Sequence, residues 1–142
     1  MIPTGKLRHV EQTPFDFRIP KRIGLEIGAD DIDLQQGNGY DHCFALDHPD
    51  GQFSLAATAY DPVSGRLMEL FTDKPGLQLY TANWLNHSWQ AKGSDVRYGP
   101  RTAFCLEPQL YPDAPNRPEF KSPVLSPGEV YLTRSTFRFG VK

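Results

Sequence analysis

The sequence predicts an all-β fold, and three observations predict it. Twelve glycines and thirteen prolines among 142 residues interrupt almost every segment and leave little room for helices. Between the interruptions lie six short runs with the length and alternation of strands. Tight turn signals such as "PVSG" separate neighbouring runs, so the strands are expected to be mostly antiparallel and sequential.

Residues 1 to 20 read as extended and turn-rich, because Pro3, Pro14 and Pro20 block a helix. The next twenty residues, "PKRIGLEIGADDIDLQQGNG", are mostly loop, with room for one helical turn at most. The first strand is "YDHCFALD" (40–47), followed by a turn at "HPDG". In "QFSLAATAYD" (52–61), period two puts Phe53, Leu55, Ala57 and Ala59 on one face. "PVSG" then turns the chain into "RLMELFTD" (66–73) to make a hairpin, and "PGLQLYTAN" (75–83) is the fourth strand. Residues 84–100, with Trp84, His87 and Trp89, form a long polar-aromatic loop. "TAFCLE" (102–107) is a strand that delivers Glu107 to its last position, and four prolines follow within eleven residues. "EVYLTRSTFRFGV" (129–141) closes the fold as a long strand.

Composition narrows the function. The chain reads as a single domain over residues 1–142 with a formal net charge of −2, 39% apolar and 23% charged residues. There is no basic surplus for nucleic acid and no run approaching the ~20 apolar residues of a membrane span. The N-terminal residues lack the apolar stretch of a signal peptide, which predicts a cytoplasmic protein. Cys43 and Cys105 sit in strand-like runs and read as two buried thiols, with a disulfide or metal site as lesser options. The four histidines have no ligand spacing, so neither metal nor cofactor is expected.

Three strands share a feature. Asp41 lies on one face with Cys43 and Ala45, Gln78 with Tyr80 and Ala82, and Glu107 with Cys105 and Ala103. Each strand presents one polar group beside mainly small side chains. Polar heads above open space suit a ligand cleft, although small residues also simply accommodate a neighbouring sheet. Trp84 and Trp89 leave a similar choice, since a tryptophan in a loop either stacks on a ligand or packs down.

Five segments, "IPTGKLRHVEQTPFDFR", "NGYDHCF", "PGLQLYTANWL", "FCLEPQLYPDAPNRPEF" and "LSPGEVYLTRSTFRFGV", occur in the order and spacing found in aldose 1-epimerases (galactose mutarotases). The resemblance covers essentially the whole chain, and it is to the C-terminal part of that family. It implies part of a large antiparallel β-sandwich. It also implies that Glu107 is the general base, that Asp41 binds sugar hydroxyls, and that Gln78 is a further substrate contact. Where the family usually has Thr or Ser after the base, this chain has Pro108, which removes one backbone donor.

The family's two active-site histidines lie in segments resembling "HGG" and "TNHxYFNL", and neither segment occurs among the 142 residues. The resemblance therefore implies a C-terminal piece with little mutarotase activity of its own. Its expected ligand is an aldohexose sugar. His42 neighbours Asp41 but should point to the opposite strand face, His87 sits in the aromatic loop, and His9 and His48 read as solvated turn residues. Two further readings stay open: a non-catalytic sugar-binding module, and a remnant whose exposed apolar faces, such as Phe53, Leu55, Leu67 and Phe71, drive formation of a homodimer.

Overall fold

The structure, a computed structural model, describes residues 3–48 and 51–142. Pro49 and Asp50 of the expected "HPDG" turn, and the first two residues of the N-terminal segment, lie outside the described residues. The described residues contain six strands and little helix: β1 (Asp41–Ala45), β2 (Ser54–Tyr60), β3 (Arg66–Thr72), β4 (Gly76–Tyr80), β5 (Cys105–Gln109) and β6 (Ser135–Val141). They form two three-stranded sheets, ordered β1-β4-β5 and β2-β3-β6. The all-β expectation holds, and each expected strand is present in shortened or shifted form.

The chain divides into two units, one made of Met1–Cys43 and Gln78–Glu107, the other of Phe44–Leu77 and Pro108–Lys142. The first unit carries the only α-helix among the described residues, α1 (Ile32–Gly37). It is longer than the single turn expected, for two local reasons. The Asp31 side chain caps its start by accepting the Asp33 amide at 2.9 Å, and Leu34 anchors it as a buried residue. Asn38, in the left-handed region at φ 52°, stops it; the next amide, Gly39, donates to the Leu34 carbonyl at 2.9 Å. Arg8 clamps the helix start through Asp31 and Asp33 at 2.8 and 2.7 Å. Phe15, Leu34, Tyr40, Leu79 and Ala82 are buried within this unit.

In the second unit, β2 and β3 make the expected antiparallel hairpin. Its turn is held by Asp61, whose carboxylate accepts the Val63 amide at 3.1 Å while the Gly65 amide donates to its carbonyl at 2.8 Å. The alternation expected across Phe53, Leu55, Ala57 and Ala59 is broken. A bulge between Leu55 and Ala57 sets Leu55 opposite Phe71 and Ala57 opposite Leu70. The extra residue resets the faces, and Leu55 ends up exposed while Ala57 is half-buried.

Strand β6 pairs antiparallel with β3 from Ser135 to Val141, six residues later than expected. The chain before it is committed elsewhere. The Ser126 amide bonds to the Glu129 carboxylate at 2.6 Å, and Asp73 holds the Thr133 hydroxyl and Arg134 amide at 2.7 and 2.8 Å. Strand β5 likewise starts at Cys105, because Gly99 and Thr102 close a turn at 3.3 Å with Arg101 left-handed at φ 63°. It also runs on through Pro108 to Gln109, so Glu107 is the middle residue of the strand and not its end. A proline is tolerated there because β5 is an edge of its sheet and an edge strand can spare an amide.

Candidate functional site

Asp41, Gln78 and Glu107 fall on β1, β4 and β5, three neighbouring strands of one sheet, and all three belong to the first unit. β4 is the middle strand, so Gln78 sits between the two carboxylates in strand order. The structure joins two of them directly: Gln78 Nε2 donates to Asp41 Oδ1 at 2.7 Å. An amide that faces a carboxylate must present its NH₂, since its oxygen would be repelled. Both side chains are half-buried, whereas Glu107 is exposed.

The faces around these residues differ from the simple alternation. Cys43 is half-buried and Cys105 is exposed, each as an unbridged thiol; the expectation that both are buried fails at Cys105, which lies on an outer edge strand. Ala82 does not extend the Gln78–Tyr80 face. It lies past the end of β4 and turns left-handed at φ 53°, buried.

That reversal after β4 is fixed by a buried polar cluster that the sequence reading missed. Asn83 is 2% exposed. Its Nδ2 donates to the Gly37 and Tyr40 carbonyls at 2.8 and 2.9 Å, and its Oδ1 accepts the Thr81 hydroxyl at 2.6 Å. The Thr81 amide donates to the Tyr40 carbonyl at 3.0 Å, in the residue before Asp41. The cluster thus sets the spacing between the start of β1 and the end of β4, where Asp41 and Gln78 must meet. Its sequence signal is faint: a polar Asn closing an apolar run, with an Asn-Gly pair at residues 38–39. Gly39 is at φ +133°, and a Cβ there would overlap the Asn83 side chain, so only glycine fits.

Tyr40 is fully buried, its hydroxyl donating to the Pro14 carbonyl at 2.8 Å. Burial first, then Glu26 and Asp31, pushes its phenol up to about 12, so it is a structural donor and not an acid–base group near neutral pH. His42 is half-buried with its ring edge-on to Phe15 at 4.8 Å, and Nδ1 accepts the Asp41 amide at 3.0 Å. Burial holds its imidazole below the usual value, against the opposing pull of Asp33, Asp41 and Asp31. A neutral ring packed on Phe15 is a poor candidate for a proton donor to a ligand.

The remaining histidines are dispersed. His9 is exposed. His48, expected in a solvated turn, is half-buried and lines a cavity of about 180 Å³ with Pro75, Tyr111 and Phe120 in the second unit. The His87 ring covers the backbone of Gly99. Among the described residues, no group of three or more His, Cys, Asp or Glu side chains could hold a metal ion, and no helix is long and apolar enough to cross a membrane.

Comparison with known proteins places the chain in a family. The aldose 1-epimerase family model matches residues 1–138. Galactose mutarotase of Rattus norvegicus is 38% identical over 141 residues, which are 99% of this chain and 39% of that protein. Aldose 1-epimerase of Escherichia coli (strain K12) is 34% identical over 140 residues, 97% of this chain and 40% of that protein. Among solved structures, a GalM/aldose epimerase homologue from C. elegans superposes with a TM-score of 0.77 at 25% identity, covering 99% of this chain and 40% of that one. The chain belongs to the aldose 1-epimerase family and has its fold. It spans about two fifths of the length of these relatives.

Proposed function

We propose that this chain supplies the base and two sugar contacts for interconverting the α- and β-anomers of an aldohexose such as galactose or glucose. The observation that carries the reading is the Gln78–Asp41 hydrogen bond of 2.7 Å in the sheet that also bears Glu107, with Gln78 on the strand next to it. Asp41 accepts hydrogen bonds from sugar hydroxyls, and Gln78 keeps that carboxylate aimed. Glu107 takes the proton from the C1 hydroxyl. As it does so, an acid protonates the ring oxygen, the C1–ring oxygen bond breaks, and the open aldehyde forms. Rotation about C1–C2 and the reverse transfers close the ring on the other face. A sugar lying over Glu107 removes its water, and a desolvated carboxylate accepts a proton more readily.

The acid is not among these residues on this reading. His42 is packed on Phe15, and the family's histidine-bearing segments are absent from the 142 residues. Without an acid, and without further sugar-orienting groups, the chain by itself leaves mutarotation close to its spontaneous rate. We place it in the cytoplasm, where an exposed thiol such as Cys105 stays reduced.

A chimera tests the assignment of the base. Residues 1–142 replace the matching segment of Escherichia coli aldose 1-epimerase, and polarimetry follows freshly dissolved α-galactose. The chimera is expected to be active, and Glu107→Gln in it to cut the rate ~10²–10⁴-fold, the usual worth of a general base. Full activity of the Glu107→Gln chimera would refute the role.

A second observation favours self-association. Strand β6 is exposed along its whole length at the edge of its sheet. Phe137, Phe139 and Val141, alternate residues and so on one face, are 44%, 74% and 81% exposed. Of the residues expected from sequence, Leu55 is exposed, whereas Phe53 stacks on Phe71 at 6.1 Å and arginines 134 and 138 cover those two rings. We propose that two copies of the chain meet through β6.

A further inference from the structure

We propose that Trp84 is the aromatic platform of the sugar site, laying its indole against the apolar C–H face of the bound aldopyranose. The inference rests on the sugar-binding role of Asp41 and Gln78 and adds to it a residue on the other side of the ligand.

Tyr80 is two residues beyond Gln78 on β4, so its side chain rises from the same face of the strand. Its hydroxyl accepts the backbone amide of Trp84 at 3.2 Å. The chain leaving β4 therefore does not run on past the sheet but folds back over the face that carries Gln78 and Asp41. The reversal is tight, with the Leu85 amide donating to the Ala82 carbonyl at 3.2 Å.

Trp84 is also held in place from below. The residue before it, Asn83, is buried and bonded to Gly37, Tyr40 and Thr81. The backbone of Trp84 is thus fixed on both sides while the residue is 65% exposed. A large ring on an ordered backbone, left in water, is the arrangement of a contact surface prepared in advance, because little conformational freedom is lost when a ligand covers it.

The chemistry matches a pyranose. Such a ring carries hydroxyls around its rim and C–H groups on its faces. It needs in-plane acceptors and donors, here Asp41 and Gln78, together with one flat apolar surface. Trp89 is comparably exposed at 64% but is carried on a separate ladder, where Tyr98 donates to its carbonyl at 2.9 Å and Gln90 bridges to Arg97. No bond among those described ties Trp89 to β4, and Trp84 is the better placed of the two.

Tryptophan fluorescence and amide NMR of the 142-residue chain, titrated with D-galactose, test the proposal. In Trp89→Phe, where Trp84 is the sole indole, galactose is expected to change the emission saturably; in Trp84→Phe it leaves Trp89 emission unchanged. Trp84→Ala is expected to weaken binding, read from the Gln78 side-chain amide, by about two- to tenfold, the worth of one aromatic contact. If galactose shifts the Gln78 amide with equal affinity in Trp84→Ala and the chain as it stands, the platform is wrong and the site stands. If galactose shifts nothing in the chain as it stands, the site and the platform fall together. Should Trp84→Ala fail to fold, the Trp89→Phe titration decides alone, since it leaves Trp84 intact; a flat emission would overturn the platform.

Discussion

Gln78 and Asp41 meet across adjacent strands with 2.7 Å between Nε2 and Oδ1, an amide donor set against a carboxylate on a half-buried face. Replacing that donor with an acceptor reverses the contact. In Gln78→Glu two carboxylates would share the position, and like charges at that distance cannot both ionise freely. One of the pair is expected to titrate above the ordinary carboxylate range, followed by carboxyl-carbon NMR shifts. Two ordinary titrations would show that the two side chains do not meet.

Gly39 sits at φ +133° under the Asn83 side chain. Gly39→Ala must adopt a strained backbone and also displace a residue with three buried hydrogen bonds. A loss of roughly 2–4 kcal/mol is expected, combining strain with broken polar contacts, and denaturant midpoints measure it. Gly24→Ala is the control, because no atom lies within 4 Å of a Cβ there. Equal losses at the two positions would contradict the packing.

His42 should make stability depend on pH. Its folded-state value lies below the ordinary 6.5, chiefly through burial. In the window between the two values the unfolded chain binds a proton that the folded chain refuses. The contribution is therefore complete above about 6.5 and is lost as pH falls from there toward the folded value. Denaturation midpoints measured from pH 7.5 down to 5 are expected to fall, and His42→Gln to flatten that part of the curve. An unchanged slope in the variant would show that the ring is not buried in a neutral state.

Association through β6 predicts that light scattering finds a species above 16.0 kDa at micromolar concentration, and that Phe139→Lys, which puts a charge on the exposed face, returns the monomer. A single 16.0 kDa species for the unaltered chain across that range would end the idea.

The strand content was legible because punctuation and alternation are local properties. Gln78, Asp41 and Glu107 were found from the family likeness of their segments, and neighbouring strands then carry them. What was not legible depends on partners distant in sequence. The bulge at Ala56 exists only against β3, where two residues face one. Pro108 continues β5 because that strand has one neighbour, a fact of sheet order and not of residues 104–109. Asn83 looked like the polar end of a strand. Its role appears only when Gly37 and Tyr40, more than forty residues earlier, arrive beside it. The late start of β6 has the same origin, in the hold of Asp73 on Thr133 and Arg134.

An NMR titration of the chain with D-galactose tests most directly whether β1, β4 and β5 present a sugar site. Saturable shifts are expected at Asp41, Gln78 and Glu107, with Asp41→Ala abolishing them while leaving the rest of the amide spectrum native. Shifts that are absent, or that cluster on the β2-β3-β6 sheet and survive Asp41→Ala, would contradict it.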